Sequence, residues 1–208
     1  MALSLDELMC YDILATDKSS EMIDVARQKA NRQSTNQIAF RVADFLDLSA
    51  FPTRYFDIVF MTFDTINYLH KVEDVQTLLN QVEQVLNDGG LFIFDFTTPQ
   101  NSREAIQSLD GEEGSYLNYY YHRQSTYNEE ERIHTNIFTI QYRDPDTDEV
   151  LESFQEEHHQ RIYSLDEILS IVDGSNFELI SKYGGFELKE ADDESLRITM
   201  TLKCPQTP

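Results

Sequence analysis

An α/β fold built on a parallel sheet and carrying an antiparallel β insertion is predicted for this 208-residue chain by three observations. Apolar runs ending in an acid recur at Ile13 to Asp17, Ile38 to Asp44, Phe56 to Asp64 and Leu91 to Asp95. Between them apolar residues fall at helical spacing, the alternation that parallel βαβ units require. From about residue 116 to residue 162 the style changes to long aromatic and β-branched stretches, which read as added antiparallel strands. Ligands of a parallel sheet bind outside the carboxyl ends of its strands, so the recurring acids place the polar groups of a cofactor-binding enzyme on one rim.

The elements follow in order. Residues 2 to 9 read as the end of a helix, and Tyr11 to Thr16 as a strand with Asp17 just beyond it. Ser19 can cap a helix that has Glu21 in its first turn and Met22, Ile23, Val25 and Ala26 as apolar contacts up to about Ala30. Ile38 to Val42 makes the next strand. Tyr55 to Thr62 is a near-continuous apolar run after Pro52, the pattern of a strand covered on both faces. Val75, Leu78, Leu79, Val82, Val85 and Leu86 give a helix that Asn87-Asp88-Gly89-Gly90 stops before the strand Leu91 to Phe96. Within the insertion, strands are expected at Tyr116 to Tyr121, Ile133 to Tyr142 and Val150 to Ile162, with Asp144-Pro145-Asp146-Thr147-Asp148 as a turn. Ser164-Leu165-Asp166-Glu167 has capping-box spacing. Leu165, Ile168, Leu169 and Val172 then form the buried stripe of a helix that Gly174 can end. Phe177 to Tyr183 and Leu196 to Leu202 close the sheet as an antiparallel pair.

Composition narrows the function classes. A formal net charge of -22 repels a phosphate backbone, so neither a nucleic acid nor an anionic membrane is an expected partner. Cys10 and Cys204 stand far apart and outside any paired spacing, which argues against a disulfide framework or a zinc site and for a reducing cytoplasm. No apolar run reaches membrane-spanning length. Asp144, Asp146 and Asp148 imitate the opening of a calcium loop, but Glu149 stands where glycine is needed and Gln155 where the closing glutamate belongs, so calcium is rejected and no metal is expected.

Individual residues carry two readings each. Asp17, between an apolar strand and a capped helix, can accept hydrogen bonds from both hydroxyls of a ribose or merely serve the turn, and alone the second is favoured. Asp44 can receive an adenine amino group, with the backbone beside Phe45 facing the ring, or be another loop acid. His158 and His159 are neighbours on a strand and point to opposite faces, so they cannot share a metal. Tyr119, Tyr120 and Tyr121 can cage a ligand, although packing is the default for aromatics in half-buried strands.

The stretches Asp17 to Met22, Val42 to Asp44, Phe56 to Leu69 and Leu86 to Asp95 resemble, in order and spacing, the class I S-adenosylmethionine-dependent methyltransferases. Asp64 to Leu69, His158 to Arg161 and Arg197 narrow the resemblance to small bacterial methyltransferases of uncertain substrate. It implies a Rossmann-like core, residues 1 to 115 and 163 to 208, with residues 116 to 162 as a lid, and S-adenosylmethionine as cofactor. By position, Asp17 holds the ribose, Met22 packs near the adenine, Asp44 and Phe45 bind its edge, and Thr62 and Phe63 flank the methionine moiety. Asp64, Asn67 and Tyr68 then face a small-molecule acceptor whose wall includes His158 and Arg161, and Asp64 or His158 removes the acceptor proton. Met1 aligns just after the family's first strand and glycine-rich turn, so the core is expected to lack its first strand. A non-catalytic binding module derived from the same fold is the alternative. A nicotinamide-dependent dehydrogenase is a third reading, disfavoured because it shares the acid-tipped strand but not the Asp64 to Leu69 cluster.

Overall fold

The computed structural model describes residues 2–7, 12–32, 38–185 and 187–206, and it divides into two compact units, 1–52 and 53–208. Cys10, Tyr11 and the end of the expected first helix lie outside the described residues.

The first unit holds α1 (Ala2–Asp6), β1 (Ile13–Asp17), α2 (Ser20–Arg32) and β2 (Ile38–Val42). β1 and β2 run parallel, with Ile13 opposite Ile38 and Asp17 opposite Val42, so the acid and the end of the second strand share one edge. The predicted cap is present: Ser19 Oγ accepts from the Met22 amide at 3.1 Å, satisfying one of the free N–H groups of the first turn of α2. Ile23 and Ala30 are the buried face of that helix.

The second unit contains two sheets. Phe56–Met61 (β3), Leu86–Thr97 (β4), Glu178–Gly184 (β9) and Arg197–Lys203 (β10) form one, in the order β3-β4-β10-β9. β3 and β4 are parallel, while β10 is antiparallel to both β4 and β9, as the closing pair predicts. Helix α3 (Val72–Val85) buries Val75, Leu78, Leu79, Val82 and Val85, and α5 (Leu165–Asp173) buries Leu165, Ile168, Ile171 and Val172. Ile171 thus takes the place expected for Leu169. The capping box is formed, with Ser164 and Glu167 exchanging side-chain and backbone bonds. Phe92, Phe94 and Phe96 on β4 and Ile198, Met200 and Leu202 on β10 are almost completely buried, which makes these two strands the centre of the core.

The second sheet is an antiparallel meander of Glu113–Tyr116 (β5), Tyr119–Asn128 (β6), Ile133–Arg143 (β7) and Val150–Arg161 (β8). It follows α4 (Pro99–Leu109), a helix the sequence reading omits; Thr98 caps it and Pro99 opens it. Two further expectations are corrected. Tyr116 to Tyr121 is no single strand, because Leu117 turns left-handed at φ 54° and splits it into β5 and β6. β3 is not covered on both faces: Ile58 and Phe60 are exposed, and among the described residues β4 is its one strand partner. Within the meander Gly114 lies under Tyr121, and a Cβ there would sit 2.4 Å from the tyrosine ring.

Candidate active site

In the first unit the rim at the carboxyl ends of β1 and β2 carries Asp17, Asp44 and Phe45. Asp17 Oδ1 accepts from the Ser19 amide at 2.8 Å, so the turn reading is realised at one oxygen. Met22, on the first turn of α2, is exposed. Asp44 is more committed: its Oδ1 accepts from the Leu46 amide at 2.9 Å and its Oδ2 pairs with Lys18 at 2.8 Å. The Lys18 contact first, and the Leu46 amide second, hold the Asp44 carboxyl below the ordinary carboxylate range.

In the second unit the strand end of β3 is bent into a turn that few residues tolerate. Phe63 and Asp64 are consecutive left-handed residues, φ 63° and 59°, and neither is glycine. Such conformations cost about 1–3 kcal/mol each and persist where the surroundings over-determine them. One carboxylate holds both amides of the pair. Asp95, buried at the end of β4, accepts from the Phe63 amide at 3.1 Å and the Asp64 amide at 2.8 Å. Arg197, at the start of β10, donates to Asp95 Oδ1 at 2.8 Å and also pairs with the Asp64 carboxylate. Two carboxylates thereby share one guanidinium across three strand ends, and Phe63 is turned outward, 71% exposed.

The turn leads into a 3-10 segment, Thr65–Tyr68. Asn67, which the resemblance places against the acceptor, is instead fully buried. Its amide accepts from the Thr97 backbone and donates to the carbonyls of Thr97 and Arg161, at 3.0, 3.3 and 2.8 Å. Those bonds tie the segment to both β4 and β8. Arg161 is similarly engaged, donating to Glu167 at 3.1 Å and lying over the Tyr163 ring. The Tyr163 hydroxyl donates to the Leu69 carbonyl, and burial pushes its pKa up to about 12.

Tyr68 alone of this group reaches out. Its hydroxyl is 2.9 Å from His158 Nδ1 on β8, and the two rings meet edge to face. Burial, with a smaller contribution from Asp64, raises the Tyr68 pKa, so the phenol keeps its proton near neutrality. His158 Nε2 faces Glu156 at 3.8 Å. His159 points the other way, to Thr135 Oγ1 at 3.0 Å, as the alternation of strand side chains predicts. No cluster able to hold a metal occurs among the described residues.

Where β6 and β7 meet α4 the sheet buries a polar network. His134 lies between two hydroxyls, Ser102 Oγ at 3.0 Å from Nδ1 and Ser125 Oγ at 2.8 Å from Nε2. Burial, and then Arg123, depresses its pKa. The folded chain therefore favours neutral imidazole, and its contribution is present above the unfolded pKa of about 6.5 and lost as pH falls below it. We expect the thermal stability difference between the parent and His134→Asn to shrink on acidification from pH 7.5 to 5.5. A difference constant over that range, measured by calorimetry, contradicts this role.

A methyltransferase domain family matches residues 1–94. A Bacillus subtilis (strain 168) protein named "Putative methyltransferase YqeM" is 25% identical over 189 residues, 90% of this chain and 73% of that protein. Among solved structures, a S-adenosylmethionine-dependent methyltransferase from Clostridium acetobutylicum ATCC 824 aligns over 97% of this chain and 79% of its own, with a TM-score of 0.74 and 24% identity. The CcbJ methyltransferase from Streptomyces caelestis aligns over 98% and 78%, with a TM-score of 0.77 and 17% identity. At these identities the structures speak to the fold.

Proposed function

We infer that this chain is a class I S-adenosylmethionine-dependent methyltransferase and that it acts on a small-molecule acceptor held against the face of the antiparallel sheet that carries His158. The observation that carries the reading is the Tyr68 to His158 hydrogen bond, which joins the loop at the end of a parallel strand to the inserted sheet. Ligands of parallel sheets bind at such strand-end loops. His158 also lines a cleft of about 380 Å³, which suits a small molecule and not a polymer.

The cofactor's sulfonium supplies an already activated methyl group, so no covalent protein nucleophile is called for. The chain's own part is to hold and deprotonate the acceptor. Holding a nucleophile in line is worth about 7–11 kcal/mol of barrier. With its ring proton on Nε2, towards Glu156, His158 accepts at Nδ1 from the Tyr68 hydroxyl. The Tyr68 oxygen can then take the acceptor's proton while its own passes to His158, leaving an imidazolium beside the Glu156 carboxylate. Asp64 is drawn to Arg197 and fixes the turn, so the base is assigned to His158.

In the first unit the residues fit an adenosine ribose: an exposed carboxylate, Asp17, ends a parallel strand, with the exposed apolar Met22 on the first turn of the helix that follows. Asp44, held by Lys18 and the Leu46 amide, would orient its neighbour Phe45 and offer little of itself to the adenine edge. Thr62 and Phe63 in the second unit are proposed as flanks of the methionine moiety, Phe63 through its outward ring.

Incubation with methyl-labelled S-adenosylmethionine and a panel of small amines, alcohols and acids is expected to move label to at least one acceptor. Cofactor binding with no transfer to any acceptor would favour a binding module. Asp17→Ala should weaken calorimetric cofactor affinity by about 1–3 kcal/mol, the cost of leaving hydroxyls unpaired. Unchanged affinity would remove Asp17 from the site.

A further inference from the structure

The cleft that ends at His158 has an unusual lining. Five aromatic residues, Tyr116, Tyr119, Tyr120, Tyr121 and Phe138, make up most of its lining, Glu156 is the one carboxylate in it, and no lysine or arginine lines it. Tyr116 is open to solvent, and Tyr119 is exposed on the cleft side while its ring also packs against that of Tyr142 at 5.0 Å. Aromatic faces carry negative potential, and a cation within about 6 Å of a ring centroid is attracted to it.

Rings of this same sheet already take cations from the chain itself. The Arg123 guanidinium lies over Phe138 at 5.1 Å and that of Arg143 over Tyr120 at 4.6 Å. Each brings its own counter-charge, Glu112 for Arg123 and Asp148 for Arg143, both at 3.2 Å. Among the described residues Glu156 has no such partner: the basic group at hand is His158, 3.8 Å away and charged only when protonated. A neutral ring stacked in the cleft would shield this carboxylate from water and give nothing back. A cation would meet both the rings and the carboxylate. The chain's net charge of -22 adds long-range attraction of the same sign.

We propose that this cleft is a subsite for an ammonium group, and hence that the acceptor is an aminated small molecule held by the tyrosine faces and Glu156. The substrate class rests on the acceptor lying against this sheet, but the subsite can be tested without any methyl donor.

Titration of the whole chain with 2-phenylethylamine and with 2-phenylethanol, at pH 7.5 and without cofactor, compares a cation with a neutral molecule of the same shape. The amine is expected to bind at least tenfold more tightly by calorimetry or ligand-observed NMR. Glu156→Gln should bring the two within threefold, and Tyr119→Leu should weaken the amine about tenfold; circular dichroism will verify that both variants remain folded. Equal affinity of the two probes, a preference that survives Glu156→Gln, or no amine binding at millimolar concentration would overturn the proposal. An amine preference with no methyl transfer to any acceptor would instead sink the enzymatic reading and leave the subsite standing. Transfer to alcohols or acids without an amine preference would do the reverse.

Discussion

Asp95→Ala is expected to cost about 3–5 kcal/mol of stability and to abolish methyl transfer, although Asp95 itself is buried away from any acceptor. Removing it leaves the Arg197 charge short of one partner and the amides of Phe63 and Asp64 unsatisfied. The Arg197 pair with Asp64 and the Asn67 amide on the Asp64 carbonyl remain, but with the two amide bonds lost the left-handed pair is under-supported and the turn should relax towards a right-handed or extended path. Tyr68 would then leave His158. Asp95→Asn keeps the shape and one acceptor but not the charge, and should fall between the two. Urea unfolding with turnover measured on both variants tests this; a loss below 1 kcal/mol in Asp95→Ala, or turnover within tenfold of the parent, would show that the turn does not depend on the carboxylate.

His158→Asn should behave in the opposite manner, with stability nearly unchanged and turnover reduced about 100- to 10,000-fold, the usual range for a lost general base. The side chain is partly exposed on β8, so little packing is forfeited. Asparagine can still hydrogen-bond Tyr68, which keeps the loop in place and isolates the proton transfer. KM for the acceptor should move little, because the asparagine keeps the contact that holds the loop. Turnover within threefold of the parent would transfer the role of base to another group.

Much of this arrangement is legible from residue order. The capping box at Ser164, the Ser19 cap, the stripe of α3 and the antiparallel β9 and β10 are local patterns, and local patterns survive folding when packing agrees with them. Helix α4 is missed because few apolar residues mark its length, although Thr98-Pro99 is a readable start signal. The split between β5 and β6 is missed because Leu117-Asn118 contains no glycine to announce a positive φ. The clamp brings Arg197 onto two carboxylates, Asp95 and Asp64, that each precede it by more than 100 residues, and no spacing rule reports it. Asn67 shows the same blindness from the other side: a polar residue in a strand-end cluster reads as ligand-facing, and only its burial reveals that its amide is spent on backbone.

Gly114 gives the inserted sheet an adjustable dimension. The Tyr121 ring rests over it where any side chain would intrude, so the place of one ring that lines the proposed acceptor cleft depends on an atom absent from the neighbouring strand. Adding that atom, as in Gly114→Ala, would displace the Tyr121 ring. A lineage could thus retune which acceptors enter by drifting at one position that no chemistry constrains, while the turn and the base stay as they are.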